Sequence, residues 1–307
     1  MMVITVFGAG SIGSLFAGKI AHSGYSTSVI GRDPHILEIN RHGLRIIEEY
    51  EEILTHLPAD TVFPSEIISS EVLFITTKAY SNPIVASSMY KKIRSDIPIF
   101  VLQNGMGNEE VFISRFSQNP IFRAITTEAA EVVHPGIVNH VAFGKTVFGQ
   151  VQGSENGFSD RIQKIITKSG FEIQSTPDIQ IKMWQKLLTN AAICPLAAIL
   201  QVPNGKILEK SSIRNIFNAI IEEGLTVAQI NLPEVDFSET RDFTLSVIEK
   251  TKKNKCSMLQ DVERKRKTEI DFINGFIVRE SRRLGLKAPI NTAITDLMHH
   301  IEQYSLN

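Results

Sequence analysis

The chain has 307 residues, of which 43% are hydrophobic and 21% are charged, a composition typical of a soluble globular protein with two domains. Its formal net charge of −1 argues against a general affinity for nucleic acids or anionic membranes. No run of 18 or more apolar residues predicts a membrane span, and no basic segment at the start predicts a signal peptide. Two cysteines are too few for a disulfide framework or a cysteine-based metal site. We therefore expect a cytoplasmic protein without a metal ion, a nucleic-acid partner or a membrane anchor.

Strand and helix patterns alternate over about the first 170 residues. Apolar runs predict strands at residues 3–7, 27–30, 72–76, 99–102 and 146–148. A first helix is predicted over residues 14–23, before Gly24, and a second after Asp33 and Pro34, with Asp33 as its N-cap and Pro34 at its first position. Because strands that alternate with helices usually pair in parallel, these patterns predict an α/β domain with a doubly wound parallel sheet.

The second part of the chain has helical periodicity and few strand patterns. Candidate helices cover residues 180–200, 211–230, 238–260, 268–285 and 289–303. The polar run 175–178 (Ser-Thr-Pro-Asp) is typical of a linker. We therefore predict a sheet domain over residues 1–177 and an all-helical domain over residues 178–307.

A glycine-rich loop directly follows the first predicted strand. Its residues are Gly8, Ala9, Gly10, Ser11, Ile12 and Gly13. In a dinucleotide site of the Rossmann type, the first glycine permits a tight turn, the second lets a pyrophosphate approach the backbone, and the third lets the next helix pack closely on the sheet. The helix N-terminus then offers N–H groups to the phosphates. Glycines also occur in plain structural loops, but the strand before and the helix after this one favour a dinucleotide.

Arg32 indicates which dinucleotide the chain binds. It lies at the end of the second strand, where a carboxylate usually binds the ribose of NAD and an arginine accommodates the 2′-phosphate of NADP. Asp33 is the rival indication of NAD, but Pro34 after it favours a capping role. Lys78 follows the strand 72–76 and could add a second positive charge. We expect NADP(H), the alternatives being a solvated loop arginine and a surface lysine.

Asn104 lies in the segment Gln-Asn-Gly-Met-Gly at 103–107, which follows the strand 99–102. Ligands of open α/β sheets bind beyond the carboxyl ends of the strands. Asn104 is therefore placed to contact nicotinamide or substrate. The alternative is a turn built on Asn-Gly.

Lys186 is an unusual cation in an otherwise mostly apolar helix. On a helix, Lys186, Asn190 and Cys194 share one face, whereas the remaining faces are apolar. Burying a cation is costly unless it has a partner. The residue therefore either extends its ammonium group to solvent or has a catalytic task. Cys194 could be a nucleophile, although a small buried residue is the favoured interpretation.

A second polar cluster lies in the helical part. If residues 238–260 form one helix, Asn254, Ser257 and Asp261 share a face. The run 268–271 (Thr-Glu-Ile-Asp) resembles a capping box and predicts a new helix from Thr268, with Glu269 in its first turn, where the helix dipole favours a carboxylate. Glu269 could also lie there without a functional role. The basic run 264–267 is interpreted as a solvated surface.

Several motifs in order resemble the ketopantoate reductase family from end to end. They are GAGSIG at 8–13, TTKAY at 76–80, QNGMG at 103–107, MWQKLLTN at 183–190, VPNG at 202–205, NKCSMLQD at 254–261 and TEIDFINGF at 268–276. The resemblance implies a Rossmann domain followed by an all-helical domain, with the site in the cleft between them. It also implies NADPH-dependent reduction of ketopantoate to (R)-pantoate, in pantothenate and coenzyme A biosynthesis.

The resemblance also implies roles for individual residues. Lys186 matches the proton donor of the family. The positions that match substrate contacts are Asn190, Asn204, Asn254 and Ser257. Those that match cofactor contacts are Gly8, Ala9, Gly10, Ser11, Ile12, Gly13, Arg32, Lys78, Asn104, Ala130 and Glu269, the last also close to the reacting carbon.

Two positions depart from the family pattern. Cys194 stands where the family commonly has a substrate-facing asparagine, and Cys256 stands where it often has serine. A thiol is a weak hydrogen-bonding group, so one contact to the substrate could be lost. The substrate is therefore either ketopantoate or another 2-oxo or 3-oxo acid. A dinucleotide-binding regulatory protein without turnover is the alternative from another class, and we expect a monomer or a homodimer.

Overall fold

The computed structural model describes residues 3–62 and 70–306, apart from the side chains of Phe237, Ser305 and Leu306. The chain forms two compact units. The N-terminal unit comprises Met1–Gln103 and Asn108–Ile179, and the helical unit comprises Asn104–Gly107 and Gln180–Asn307. The division after Ile179 lies two residues beyond the predicted domain boundary at 177. The assignment of a cofactor role to one domain and a substrate role to the other remains a prediction.

Among the described residues, twelve strands form two sheets in the N-terminal unit. They are β1 (Val3–Phe7), β2 (Ser26–Ile30), β3 (Leu44–Ile47), β4 (Glu52–Thr55), β5 (Ala59–Asp60), β6 (Val72–Ile75), β7 (Ile99–Leu102), β8 (Ile121–Thr126), β9 (Ala129–His134), β10 (Ile137–Ala142), β11 (Lys145–Gln152) and β12 (Glu172–Ser175). The main sheet has the order β12-β11-β8-β7-β6-β1-β2-β5. All its neighbours are parallel except β11 and β8. The predicted parallel-dominated α/β fold is confirmed, with one antiparallel junction.

In the part of the unit that the structure describes, five α-helices accompany these strands, and the main sheet is apolar on both faces. The helices are α1 (Ser11–His22), α2 (His35–His42), α3 (Asn82–Met89), α4 (Glu110–Arg115) and α5 (Phe158–Lys168). Within β6, Phe74 joins one hydrophobic core, whereas Leu73 and Ile75 join a second core. Because successive side chains of a strand point to opposite faces, a strand buried in this way is covered on both sides.

The starts of the first two helices differ from the prediction. Helix α1 begins at Ser11, three residues before the predicted start, with Gly10 as its N-cap. Helix α2 begins at His35, and Pro34 rather than Asp33 occupies the N-cap position. The Asp33 carboxylate still accepts a hydrogen bond from the N–H of Leu37 at 3.1 Å, so it caps the helix from one residue further upstream.

The sequence analysis missed the second sheet, whose order is β4-β3-β10-β9. Its strands are short, and β3 alternates between buried Leu44 and Ile46 and exposed Arg45 and Ile47. Strand β3 pairs in parallel with β10, which lies far along the chain. Such pairing depends on tertiary contacts that a local pattern does not contain.

In the described part of the helical unit, up to residue 306, six α-helices form most of the structure. They are α6 (Ile179–Leu200), α7 (Ser211–Ala228), α8 (Phe237–Lys250), α9 (Ser257–Glu263), α10 (Asn274–Arg283) and α11 (Pro289–Leu306). Among the described residues, α6 is the one helix with the length and apolar composition of a membrane span. Because 72% of its apolar window is buried inside the protein, we interpret α6 as a core helix.

Two predicted helices of this unit were wrong in detail. The single helix predicted over 238–260 is two helices, α8 and α9, separated by the turn 251–256. The helix predicted to begin at Thr268 begins at Asn274, after a short 3-10 turn over Ile270–Phe272. Asn254 and Glu269 therefore lie in turns, not on the helix positions that were predicted for them.

Candidate active site

The glycine loop, residues 8–13, owes its shape to missing side chains. Gly8 has a φ of +124°, a conformation that residues with a side chain rarely adopt, and its N–H donates to the carbonyl of Ile30 at 2.8 Å. A Cβ atom on Gly8 would come within 2.5 Å of the backbone nitrogen of Thr77. A Cβ atom on Gly13 would overlap the carbonyl oxygen of Gly8. The loop therefore requires glycine at both positions.

Gly10 leaves space on the outer side of the loop. A Cβ atom on Gly10 would meet no protein atom within 4 Å. Gly10 is also the N-cap of the twelve-residue helix α1, and no side chain caps the N–H groups there. Open space and exposed amides at a helix N-terminus are what a pyrophosphate requires, so the loop fits a dinucleotide. Ser11 and Ile12, in the first turn, are partly exposed, as is Ala9.

Arg32 and Asp33 have different surroundings at the end of β2. The carboxylate of Asp33 is engaged in the hydrogen bond to Leu37 described above. Arg32 is exposed and lies two residues beyond β2. Asp33 therefore serves the helix, whereas the side chain of Arg32 is open to solvent.

Lys78 and Ala130 lie in two further segments of the N-terminal unit. Lys78 is partly buried and precedes a 3-10 turn over Ala79–Ser81. Two residues earlier, the hydroxyl of Thr76 donates to the carbonyl of Gly8 at 2.8 Å, which ties this segment to the glycine loop. Ala130 lies in β9 of the second sheet and is partly buried.

A buried amide network, which the sequence analysis missed, holds the segments of Lys78 and Asn104. The side-chain amide of Gln103 donates to the carbonyl of Thr77 and to Oδ1 of Asn82, each at 2.7 Å. Asn82 returns a hydrogen bond to Oε1 of Gln103 at 3.0 Å. The network therefore joins Thr77, which precedes Lys78, to Gln103, which precedes Asn104. Gln103 was visible in the QNGMG motif, but its partners could be found only in the fold.

The loop Asn104–Gly107 belongs to the helical unit, although the chain on both sides of it belongs to the N-terminal unit. The N–H of Met106 donates to the carbonyl of Phe272 at 2.9 Å. Gly105 has a φ of +80°, and a Cβ atom there would overlap the same carbonyl oxygen. The loop thus lies against the 3-10 turn that directly follows Glu269.

Lys186 and Asn190 lie on the less buried face of α6. Both are partly exposed, whereas the neighbouring residues Leu187, Leu188 and Ala191 are buried. Helix α6 packs through Trp184 and its other buried side chains. The face that carries the lysine is therefore the face on which a ligand could reach this helix.

A side chain of α10 donates a hydrogen bond to a backbone carbonyl of α6 that lacks its usual donor. Pro195 lies inside α6 and has no N–H to donate to the carbonyl of Ala191. Asn274, which is fully buried, donates to that carbonyl at 3.1 Å. The same amide donates to Oδ1 of Asn291 at 3.0 Å, and Asn291 donates to Glu223 at 2.8 Å. These buried hydrogen bonds support α6 at Ala191, the residue that follows Asn190.

The turn 251–256 pairs with the segment that carries Asn204. The N–H of Asn204 donates to the carbonyl of Asn254 at 3.0 Å, and its side-chain amide donates to the hydroxyl of Thr251 at 3.0 Å. Among the described residues, no group forms a hydrogen bond with Oδ1 of Asn204, although that atom is buried. Asn254 and Ser257 are exposed to solvent.

Asn254, Ser257 and Asp261 do not share a helix face as predicted. Asn254 lies in the turn, Ser257 begins α9, and Asp261 is buried within α9. Hydrogen bonds from the N–H groups of Asn204 and Gly205 to the carbonyls of Asn254 and Lys252 hold the turn out of a helical conformation.

Cys256 fastens this turn to α6. Its thiol lies 3.5 Å from the carbonyl oxygen of Cys194, to which it donates, and it accepts a hydrogen bond from the N–H of Leu259. The four positions that match substrate contacts therefore lie on segments joined by hydrogen bonds within one unit.

Glu269 is buried, with 6% of its surface exposed, and it precedes the 3-10 turn. The N–H of Thr268 donates to Glu302 of α11 at 2.7 Å, and the hydroxyl of Thr268 accepts from the N–H of Ile270 at 3.2 Å. Thr268 therefore closes a short turn instead of capping an α-helix. The predicted helix-dipole argument for Glu269 was wrong, because α10 begins five residues later.

Two buried histidines of the N-terminal unit have opposite pKa shifts. Burial lowers the pKa of His35 below its ordinary value of 6.5, and its Nδ1 accepts from the N–H of Gly136. Burial alone would also lower the pKa of His140, but hydrogen bonds and charge interactions with Glu128 and Glu48, at 2.7 and 2.8 Å, outweigh it and raise the pKa above 6.5. Glu48 also pairs with buried Lys19 at 2.6 Å.

Metal chemistry has no candidate centre in the described part of the chain, since no group of three or more His, Cys, Asp or Glu side chains there could hold an ion.

Two family models match the sequence. The model described as ketopantoate reductase PanE/ApbA matches residues 4–153, and the model described as ketopantoate reductase PanE/ApbA C terminal matches residues 178–302. A 2-dehydropantoate 2-reductase from Pyrococcus horikoshii is 36% identical over 292 residues, which cover 94% of each chain.

Solved structures share the fold over the whole chain. A PanE/ApbA family ketopantoate reductase from Ralstonia eutropha has a TM-score of 0.91 at 25% identity, with 100% of both chains covered. A complex of D-mandelate dehydrogenase with NADH has a TM-score of 0.88 at 25% identity, again with 100% of both chains covered.

Proposed function

The chain belongs to the ketopantoate reductase family, and from that premise we propose that it reduces ketopantoate to (R)-pantoate with NADPH. The product would serve pantothenate and coenzyme A synthesis in the cytoplasm. The observation that carries the proposal is the ligand-accessible face of α6. There Lys186 and Asn190 are partly exposed, and the thiol of Cys256 joins this helix to the turn of Asn254.

The glycine loop supports the cofactor part of the proposal. It combines open space at Gly10 with the amides of the α1 N-terminus, and a relative of the same fold binds NADH. A bound nicotinamide dinucleotide would supply the hydride. Gly8 and Gly13 would hold the loop in the shape that admits the pyrophosphate, and Asn104 would contact the nicotinamide.

Lys186 is the proposed proton donor. Negative charge develops on the ketone oxygen of a 2-oxo acid as its carbon is reduced. The ammonium of Lys186 would stabilise that charge and then donate its proton. Glu269 would orient the lysine or the carboxamide of the cofactor.

The substrate contacts follow from the polar groups around the turn 251–256. Oδ1 of Asn204 lacks a partner among the described residues and would accept a hydrogen bond from the substrate hydroxyl. Asn190 would bind the same end of the substrate. The hydroxyl of Ser257 and the backbone near Asn254 would hold the carboxylate, because hydrogen bonds to charged groups are strong. These contacts would fix the ketone at the distance of roughly 3–3.5 Å that hydride transfer requires.

Replacement of the lysine tests the proposed mechanism. We expect Lys186→Ala to lower kcat by about 10²–10⁴-fold while NADPH binding, measured by fluorescence titration, is retained. Lys182→Ala is the matched control, since Lys182 lies one turn earlier on α6 and is exposed. Turnover of Lys186→Ala within about tenfold of the parent would show that another group is the acid.

Arg32→Ala tests the preference for NADPH. If the guanidinium contacts the 2′-phosphate, its loss raises KM for NADPH and leaves KM for NADH nearly unchanged. We expect an effect of about 10- to 100-fold, since a hydrogen bond to a charged group contributes about 1.5–3 kcal/mol. Equal rises for both cofactors would contradict recognition of the phosphate, and Arg41→Ala, on the surface of α2, is the control.

Cys194 favours a second candidate function, the reduction of another 2-oxo or 3-oxo acid. It stands on α6 where the family commonly has an asparagine, and it cannot make the same hydrogen bonds. Consumption of NADPH with a panel of oxo acids separates the two candidates by the ratio of kcat/KM. NADPH binding without turnover of any of them would instead support a regulatory protein.

A further inference from the structure

The two cysteines of this chain meet in the fold. They are the only cysteines among 307 residues, they lie 62 positions apart, and both stand where the family pattern has another residue. The sequence analysis could not connect these two departures. The structure places the thiol of Cys256 at 3.5 Å from the carbonyl oxygen of Cys194.

The surroundings of the two thiols differ in a way that suits sequential oxidation. Cys256 is partly exposed, whereas Cys194 is 5% exposed. A hydrogen bond with the Cys194 side chain lowers the pKa of the Cys256 thiol, burial opposes this, and the amides of Leu259 and Met258 reinforce it. Cys256 is therefore the thiol that a small oxidant reaches first, and its lowered pKa favours the reactive thiolate.

We propose that Cys194 and Cys256 are a redox modification site, in which a peroxide links them by a reversible disulfide. In the first step the Cys256 thiolate attacks hydrogen peroxide, so that an S–O bond forms, the O–O bond breaks and hydroxide leaves. In the second step the Cys194 sulfur attacks the sulfenic sulfur. The S–S bond forms, the S–O bond breaks, and the departing oxygen takes up the thiol proton as water. Two thiols and one peroxide thus give one disulfide and two waters.

The disulfide would join α6 to the turn 251–256 by a covalent bond. Asn190 lies one helical turn before Cys194, and Asn254 and Ser257 flank Cys256. A crosslink between these segments would fix the spacing of residues that are proposed to bind the substrate. The effect on turnover rests on the proposed function, whereas the formation of the disulfide does not.

The test uses the full chain and measures formation of the disulfide and turnover separately. Hydrogen peroxide is added to the reduced protein, and a peptide map without reductant is compared with the intact mass. We expect a crosslinked peptide pair containing Cys194 and Cys256, a mass loss of two hydrogen atoms, and full reversal by dithiothreitol. In Cys194→Ala, a dimedone adduct should appear on Cys256, whereas Cys256→Ser should form neither product.

Turnover should fall at least about tenfold with the extent of crosslinking and return with dithiothreitol, while Cys256→Ser should lose none of its own activity when peroxide is added. A dimedone adduct on Cys256 of the parent protein without the crosslinked peptides would overturn the proposal. So would oxidation of both cysteines to sulfinic acids. A crosslinked protein that reduces ketopantoate as fast as the reduced form would refute the effect on the site. A crosslink in a protein without any reductase activity would refute the proposed function and leave the modification site established.

Discussion

The candidate binding groups of the two units differ in kind: those of the N-terminal unit belong to the backbone, and those of the helical unit to side chains. In the glycine loop the groups that face a ligand are backbone amides, and the important feature of Gly8, Gly10 and Gly13 is the absence of a side chain. In the helical unit they are side chains, among them Lys186 and Asn204, on segments that are far apart in the chain. The first kind of site is contiguous in sequence, whereas the second exists only after folding.

Because of this difference, we expect the two sites to respond to substitution in different ways. A change in the glycine loop adds atoms, so its effect depends on what a new Cβ atom would meet. A change in the helical unit removes a group, so its effect depends on which partner is left without a hydrogen bond. The predictions below test that distinction.

Gly13→Ala should have the largest effect. The new Cβ atom would overlap the carbonyl oxygen of Gly8, and the helix cannot move without losing its packing on the sheet. We expect a loss of about 3 kcal/mol or more in the free energy of unfolding, measured with urea, and loss of NADPH binding.

Gly10→Ala is the matched control for that change. Its Cβ atom would meet no protein atom within 4 Å, and the φ of −78° suits alanine, so stability should be retained. NADPH binding should still weaken, because the methyl group would occupy the approach of the pyrophosphate. Unchanged NADPH affinity of Gly10→Ala would contradict the role proposed for the loop.

Asn274→Ala tests how much a side-chain hydrogen bond stabilises the helical unit. It leaves the buried carbonyl of Ala191 without its donor, and we expect a loss of about 1–3 kcal/mol in the free energy of unfolding. Adding Pro195→Ala to this variant restores an N–H that can bond to Ala191 within α6, so the double variant should recover part of the loss. Simple additivity of the two changes would show that Asn274 does not substitute for that missing donor.

The smallest effect should be a pH dependence of stability with two limbs. The pKa of His140 is raised, so its stabilising contribution is full below pH 6.5 and is lost as the pH rises through the raised value. The pKa of His35 is lowered, so stability falls as the pH drops from 6.5 toward that lowered value. Each limb has a slope of at most about 1.4 kcal/mol per pH unit.

Urea unfolding between about pH 5 and pH 9 measures both limbs. His140→Gln should remove the decline at high pH alone, and His35→Gln the decline at low pH alone. If either variant abolished both limbs, the two histidines would not titrate independently.

The sequence predicted the features that depend on local pattern. The strand 3–7 and the glycine loop follow one another, and five of the twelve described strands were found at least in part. Those found are mostly central strands, and their continuous apolar runs are visible in the sequence without knowledge of the strands with which they pair. The second sheet was missed because the pairing of β3 with β10 is a long-range contact.

The errors in the helical unit have a common physical cause. Residues 251–256 could continue a helix, but the carbonyls of Asn254 and Lys252 accept hydrogen bonds from the N–H groups of Asn204 and Gly205. The capping-box pattern at Thr268 was present, but the N–H of Thr268 is taken by Glu302. In both places a tertiary hydrogen bond replaced the local one that the pattern predicted. The site residues themselves stay predictions until the variants are measured.

The loop Asn104–Gly107 has a consequence for dissection of the molecule. Four residues from the first half of the gene are structural members of the helical unit, where Met106 bonds to Phe272. A gene cut after residue 179 would therefore encode a second fragment that lacks part of its own fold. The two halves are not interchangeable modules, and any hybrid with a related protein must inherit the loop together with the helix-turn segment that receives it.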